Sequence, residues 1–484
     1  MPGMELSLSL GRTQVIAGES LALQAVVTNG GSQPVEIQIS PHSGLIYEFR
    51  SSQDGVLRYT ASSQAYLRAV TAGLQLPPLS PSTVTLAPGQ SRKLREDPAL
   101  FLMQPLAPGK YLLSAKLAVG DSQSESSPVA LEVIPARIAH LTFFYCPYQN
   151  AMVCVFDHRD DGGACVFHRE TEGEQLGSGV AVRREAISAG KEGLGVAAAF
   201  HTAPQLEGRW IAWLEEGALS ALRAWGPAVT AKPPLIPIEL AQPRLIQPGF
   251  HFGDGSSVFL VAGMEAGRGR LQAITLTPEK SAASTPAAFF ESVPQRVLAC
   301  WTPLESQPRL TLVWADTRDS EARVFAMSYS PLGKPLTAGP EQIYNRQARL
   351  LALELDPLPA EPPAYAHALF EPSESSGQFA YVRIPLAGAP ERPQEFRLPP
   401  PPQAASEWAI SSLETGGLLV LARIADRIWV ASAQGRQWEP LTGAIGEIRH
   451  LRLAVSTGGY WGALWADPAS GLRDVSDPGY RAQA

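Results

Sequence analysis

From about residue 139 onward, short apolar runs alternate with polar turns, and the alternation repeats. The clearest copy is Trp314-Ala-Asp-Thr-Arg-Asp319, followed by Arg323-Val-Phe-Ala-Met-Ser-Tyr329 and a glycine at Gly333. Phe156-Asp-His-Arg-Asp160, running into Ala164-Cys-Val-Phe-His-Arg169 and Gly173, matches it nearly element for element. Weaker copies start at Trp213-Leu-Glu-Glu216, Val261-Ala-Gly-Met264, Leu369-Phe-Glu-Pro372, Leu421-Ala-Arg-Ile424 and Trp465-Ala-Asp-Pro468, each followed by a second apolar run. Strand, Asp/Arg turn, strand and glycine turn, recurring at roughly fifty residues, predict an array of up-and-down β units with seven copies.

Each copy is preceded by a further apolar run: Leu141 to Tyr145, Gly195 to Phe200, Leu245 to Phe252, Val297 to Trp301, Leu350 to Leu355, Trp408 to Leu413 and Leu451 to Val455. A strand buried on both faces reads as a nearly continuous apolar run, so these are predicted to be the innermost strands. After Leu472 to Val475 little chain remains for an outer strand in the last unit. That unit is expected to borrow a strand from upstream or to have its edge covered, since an open edge invites aggregation.

The first part of the chain has a different rhythm. Glu5 to Leu10, Ser20 to Val27, Val35 to Ile39, Ile46 to Arg50, Val56 to Tyr59, Lys110 to Val119 and Val129 to Ile134 read as strands. Asn29-Gly30-Gly31, Asp54-Gly55, Ala87-Pro-Gly89 and Ala107-Pro-Gly109 punctuate them. Short strands with a turn signal about every ten residues predict a β-sandwich.

Two resemblances follow from these motifs. The run Gly18-Glu-Ser-Leu-Ala-Leu-Gln-Ala-Val-Val-Thr-Asn29, with Ala107-Pro-Gly-Lys-Tyr111, resembles bacterial immunoglobulin-like domains. The Trp-x-Asp-x-Arg repeat resembles those of bacterial β-propellers of the sialidase-like kind, over roughly residues 139 to 480. The expected fold class is therefore all-β: an N-terminal immunoglobulin-like β-sandwich over residues 1–136, followed by a seven-bladed β-propeller over 137–484. The Ser-x-Asp-x-Gly-x-Thr-Trp box of true sialidases is absent, so the resemblance implies a fold rather than glycosidase activity.

With 484 residues, 45% hydrophobic and 18% charged, the chain can fill two cores. The prolines Pro399 to Pro402 predict a stiff extended connection between two units. Glu170 to Glu174 and Arg183 to Lys191 carry charge without an apolar stripe and are expected to be loops. The net charge of −7 leaves no basic footprint for nucleic acid. No run approaches the ~18 apolar residues of a membrane span, and Met-Pro-Gly-Met-Glu lacks the features of a signal peptide. A cytoplasmic location is expected, the alternative being a trimmed leader or an exported particle.

Candidate chemistry is sparse. Cys146, Cys154 and Cys165 with His158 and His168 offer a thiolate/imidazole set, a disulfide, or buried apolar thiols. Zinc sites favour a tight Cys-x-x-Cys knuckle, and Cys165 and His168 on one strand point to opposite faces, so the buried thiols are expected. Cys300 reads as core. Gly193-Leu-Gly-Val-Ala-Ala198 fits a dinucleotide-loop pattern without the strand, turn and helix context it needs. Asp157, Arg159, Asp316 and Arg318 either line a ligand-binding rim or hold turns, and their repetition favours the structural role. Trp225, Trp429, Trp438, Trp461 and Tyr480 are read as interblade packing.

No catalytic, cofactor-binding or metal-ligating residue is assigned, and no cofactor is expected. Three functions stay open. The favoured one is a non-enzymatic scaffold or adaptor whose propeller rim binds a protein partner within a multi-subunit assembly. The second is a carbohydrate-binding or degenerate sialidase-like propeller. The third is a hydrolase with carboxylates such as Asp157 and Glu215 gathered by the fold.

Overall fold

The structure is a computed structural model. It describes the strands named below and most of their connections; residues 61–81, 97–105, 171–182, 226–234, 285–293, 303–308, 356–364, 372–377, 387–391, 413–417 and 477–484, with shorter breaks elsewhere, lie outside the description. Nearly all the described regular structure is β-strand, the exception being a single 3-10 turn at Pro147–Gln149. The chain divides into two compact units, one essentially Met1–Ala136, the other essentially Arg137–Leu176 with Glu185–Pro468.

The first unit is built from alternating strands. Leu23–Asn29 buries every second residue, and Met4–Leu10 does so over its first half, as a two-sided strand should. Met4–Leu10, Leu23–Asn29 and Ser91–Glu96 form one sheet; Gln14–Ile16, Val129–Ile134, Gly109–Val119, Leu45–Ser51 and Gly55–Thr60 follow one another in a second. Tyr47, Phe49, Leu113 and Ala115 lie fully buried in the shared core. Of the predicted strand Ser20 to Val27, the described part begins at Leu23, and just before it Glu19 accepts the Ile16 amide at 2.9 Å.

The second unit is a succession of small antiparallel sheets, each begun by one of the predicted inner strands. The first runs Ile138–Cys146, Ala151–Asp160, Gly163–Glu170, Arg183–Ala189; later four-stranded sheets begin at Val297–Thr302, Leu350–Leu355 and Glu407–Ser412. The sheet that begins at Arg449–Val455 has three strands among the described residues. Between the first sheet and Val297–Thr302, two meanders merge, because Ala199–His201 pairs in parallel with Gly249–His251. The first strands of successive sheets lie beside one another, and Arg449–Val455 lies beside Ile138–Cys146. The arrangement is propeller-like.

Several sequence expectations are corrected in detail. Arg183–Ala189 is a strand rather than a loop, since sheet pairing overrides its charge. The inner run Leu245 to Phe252 is broken into Ala241–Leu245 and Gly249–His251, both pairing with Ser257–Glu265. Pro243 and Pro248 have no amide to continue one ladder there. The Asp/Arg motifs lie within strands instead of turns: Asp157 and Arg159 belong to Ala151–Asp160, Asp316 and Arg318 to Arg309–Arg318.

Burial also corrects the expectation about inner strands. The second strands are buried throughout, as in Ile211–Glu215, Tyr365–Phe370 and Trp461–Asp467. Among the first strands, residues 195–201 and Gly249–His251 are buried as expected, whereas Leu350–Leu355 and Arg449–Val455 are only half-buried. One face of each packs into its sheet stack; the other borders an open space.

Candidate functional site

That space is a cavity of about 940 Å³ measured out to its mouth, lined by every one of these first-strand segments. Thr142 to Tyr145, Phe200, Gln247, Phe250, Arg296, Trp301, Glu354, Ser411 and Arg452 all reach it.

Side chains stitch neighbouring first strands around the cavity. Thr142 Oγ1 and Gln247 Nε2 both donate to the Val196 carbonyl at 2.8 Å. Arg296 pairs with Glu354. Glu407 accepts the amides of His450 and Leu451 at 3.0 and 3.2 Å. Arg452 donates Nε to the Leu141 carbonyl at 3.3 Å and Nη1 to the Leu451 carbonyl at 3.0 Å. Burial first, and then the Arg296 charge, push the Arg452 pKa below the ordinary arginine value, against the pull of Glu354 and Glu407. An arginine still keeps its proton under such a shift.

The cavity's second component is aromatic. Phe144 packs on Phe200 with ring centres 6.1 Å apart, and Phe200 on Phe250 at 6.4 Å. Trp301 meets Phe252 edge to face at 5.0 Å. Polar donors and acceptors from Arg296, Glu354, Arg452, Gln247 and Ser411 thus share one chamber with aromatic faces. Glu354 is the one carboxylate and Cys300 the one thiol among the described lining residues.

The residues singled out from sequence sit elsewhere. Asp157 is buried and does not cap its own turn: its Oδ1 accepts the amides of Ala139 and His140 at 3.0 and 2.7 Å, and its Oδ2 meets His140 Nδ1 at 2.9 Å. It braces the irregularity between Ile138 and Leu141, where the inner strand shifts register. Glu215 accepts the Trp213 indole N–H at 2.9 Å, so the two carboxylates serve separate structural tasks. Asp316 is half-buried and pairs in register with Arg323, which itself is bonded to Glu321.

Cys146, Cys154 and Cys300 are buried thiols. Among the described residues no group of histidine, cysteine and carboxylate side chains could hold a metal ion. Gly193–His201 is itself a strand, and no helix follows it among the described residues, so the glycine pattern there is not a dinucleotide loop. No helix among the described residues is long and apolar enough to cross a membrane. Trp461 is buried; Trp438 packs edge-on against Trp408 at 5.9 Å and donates its indole N–H to the Pro399 carbonyl at 3.0 Å. The side chains of Arg159, Arg318, Cys165, His168, Trp225 and Tyr480 lie outside the described residues.

The sequence did hold a signal for the cavity, in single charges inside apolar runs: Glu354 in Leu350-Leu-Ala-Leu-Glu-Leu355 and Arg452 in Leu451-Arg-Leu-Ala-Val455. An isolated charge on an otherwise apolar strand needs a polar space to face.

No family model matches the chain, and no curated protein matches it. Among solved structures, it is similar to a fucose-specific lectin from Aleuria aurantia, at 10% identity and TM-score 0.37, covering 58% of this chain and 90% of the lectin. It is similar to AofleA from Arthrobotrys oligospora at 10% identity and TM-score 0.36, covering 64% and 88% of the two chains. The polysaccharide lyase Uly1 follows at 7% identity and TM-score 0.31, covering 57% and 69%. At these scores the likeness adds nothing to what the strand pairing itself shows.

Proposed function

We propose that this chain is a non-catalytic carbohydrate-binding protein, its second unit a seven-bladed β-propeller and its first an immunoglobulin-like sandwich. The cyclic adjacency of first strands, from Ile138–Cys146 round to Arg449–Val455, supports the propeller. For the sandwich, the support is Tyr111: its hydroxyl donates to the Ala107 carbonyl at 2.7 Å, the corner that such domains place at the start of a late strand.

The observation that carries the binding function is the cavity's lining. A saccharide presents hydroxyl groups around an edge and C–H groups on its faces. Recognition therefore calls for planar polar side chains next to aromatic rings. Arg296, Glu354, Arg452 and Gln247 supply the first, and Phe144, Phe200 and Trp301 the second. Most glycoside hydrolases use two carboxyl groups flanking the bond, and the described lining offers Glu354 alone. The same cavity weighs against a purely protein-binding rim, which would need no chamber.

The test is isothermal titration of the whole chain with a panel of neutral and acidic oligosaccharides, coupled to product analysis. Saturable binding without turnover, weakened on the order of tenfold by Phe144→Ala as the loss of an aromatic stacking face, is the expected result. Cleavage of a bound saccharide would replace the binding reading with an enzymatic one. Absence of binding across the panel would return the protein-scaffold reading to the front.

A further inference from the structure

Within the carbohydrate-binding reading, on which this inference rests, we propose that the ligand is an acidic saccharide whose carboxylate docks on Arg452.

The charges in the cavity do not cancel. Three charged side chains line it among the described residues: Arg296, Glu354 and Arg452. Glu354 is taken by Arg296. Glu407, the other carboxylate near Arg452, spends both oxygens on the amides of His450 and Leu451. Arg452 itself bonds only neutral carbonyls, those of Leu141 and Leu451, through Nε and Nη1. Its Nη2 has no partner among the described residues. The result is a half-buried guanidinium, anchored on one side, with donors left over and no carboxylate of its own.

Anchoring matters as much as charge. A free arginine must lose side-chain freedom on gripping an anion; the two carbonyl bonds of Arg452 have already fixed the plane of its guanidinium. The remaining edge suits a planar carboxylate, which accepts paired N–H bonds, better than a single hydroxyl. Away from bulk water such a charge-assisted contact is stronger than at a surface. The downward pressure on the Arg452 proton has the same origin: burial and the Arg296 charge exceed what Glu354 and Glu407 return. A ligand carboxylate relieves that imbalance, and a neutral sugar does not. The aromatic wall of Phe144 and Phe200 then takes the apolar face of the same or the adjoining sugar ring.

The experiment compares oligo-uronates of galacturonic, glucuronic and mannuronic acid with their methyl esters, which keep the shape and remove the charge. Titration calorimetry uses the whole chain at two salt concentrations. At least one acid should bind on the order of tenfold or more tighter than its ester, the size of a charge-assisted hydrogen bond, and should weaken with salt. Arg452→Gln should erase the difference between acid and ester, while Arg452→Lys should keep part of it. Glu354→Gln removes a negative charge from the cavity and should tighten the acid but not the ester. These last two comparisons, with the wild-type acid and ester pairs, decide the matter even if Arg452→Gln fails to fold. Esters or neutral sugars that bind as well as every acid would overturn the carboxylate inference and leave carbohydrate binding standing. Failure of acids and neutral sugars alike would overturn both.

Discussion

Arg452 Nε meets the Leu141 carbonyl at 3.3 Å, although the two residues are 311 positions apart in sequence. This bond joins the first strand of the last sheet to that of the first. Among the described residues no upstream strand pairs with the sheet that begins at Arg449–Val455. Arg452→Gln removes both the charge and one anchored donor at this junction. Its expected cost is about 1.5–3 kcal/mol, the range for a hydrogen bond to a charged group. Thermal denaturation checks it against Arg449→Gln. Arg449 faces solvent in a pair with Glu447, and surface pairs contribute little; equal losses in both variants would contradict the assignment.

Asp157 replaces missing strand pairing with three bonds from one carboxylate. Asp157→Asn keeps the volume but weakens the charge-assisted bonds and sets an amide N–H₂ against existing donors. Urea denaturation should show a loss of about 2–3 kcal/mol. A change below about 0.5 kcal/mol would mean that backbone pairing alone holds the strand irregularity in place.

His450 makes stability depend on acidity. Burial, and then Arg452, hold its pKa below the ordinary 6.5, against Glu407 and Asp157. The folded chain therefore binds this proton less tightly than the unfolded chain does. Above pH 6.5 both states are neutral at this site and there is no penalty; as the pH falls through 6.5 the unfolded state protonates first, and stability declines until the folded His450 also takes its proton. Denaturation midpoints between pH 7.5 and 5.5 should fall more steeply for the wild type than for His450→Asn. Asparagine suits the test because His450 has φ near 55°, in the left-handed region that asparagine tolerates. Parallel pH profiles would assign the titration elsewhere.

In the first unit, Tyr111→Phe deletes only the hydroxyl that bonds Ala107. The expected loss is about 1 kcal/mol, the net value of one such bond, read from chemical denaturation of the whole chain by the fluorescence of a probe placed in this unit. No loss would show that the corner is set by Pro108 and Gly109 without the tyrosine.

Much of the fold was legible because strands advertise themselves by period. The hairpin of Arg309–Arg318 with Glu321–Tyr329 was readable from its apolar alternation and aromatic end. Where polar letters suggested turns, the ladder in fact continued: Asp316 sits opposite Arg323 inside that hairpin, because exposed strand ends accept charge freely. The cavity was harder to foresee. A strand lining a cavity and a strand buried in a stack are both largely apolar, and the difference shows only in single letters such as Glu354 and Arg452. Which of these letters converge depends on contacts hundreds of residues apart, and no local pattern carries that.

The parallel pairing of Ala199–His201 with Gly249–His251 sets two of the meanders apart from the rest. Among the described residues the other sheets share no strand ladder with a neighbour, the nearest case being the single bridge of Gln247 to Leu298, so new termini cut in the proline run 399–402 sever no ladder. Between Ala199 and His251 the backbone itself is shared, and the Thr202 amide adds a further bond to the His251 carbonyl at 2.9 Å. Deleting either meander leaves Ala199–His201 or Gly249–His251 without these main-chain partners. The two meanders therefore share one hydrogen-bonded backbone, so any rearrangement that separates them strands main-chain donors and acceptors that the other sheets do not share.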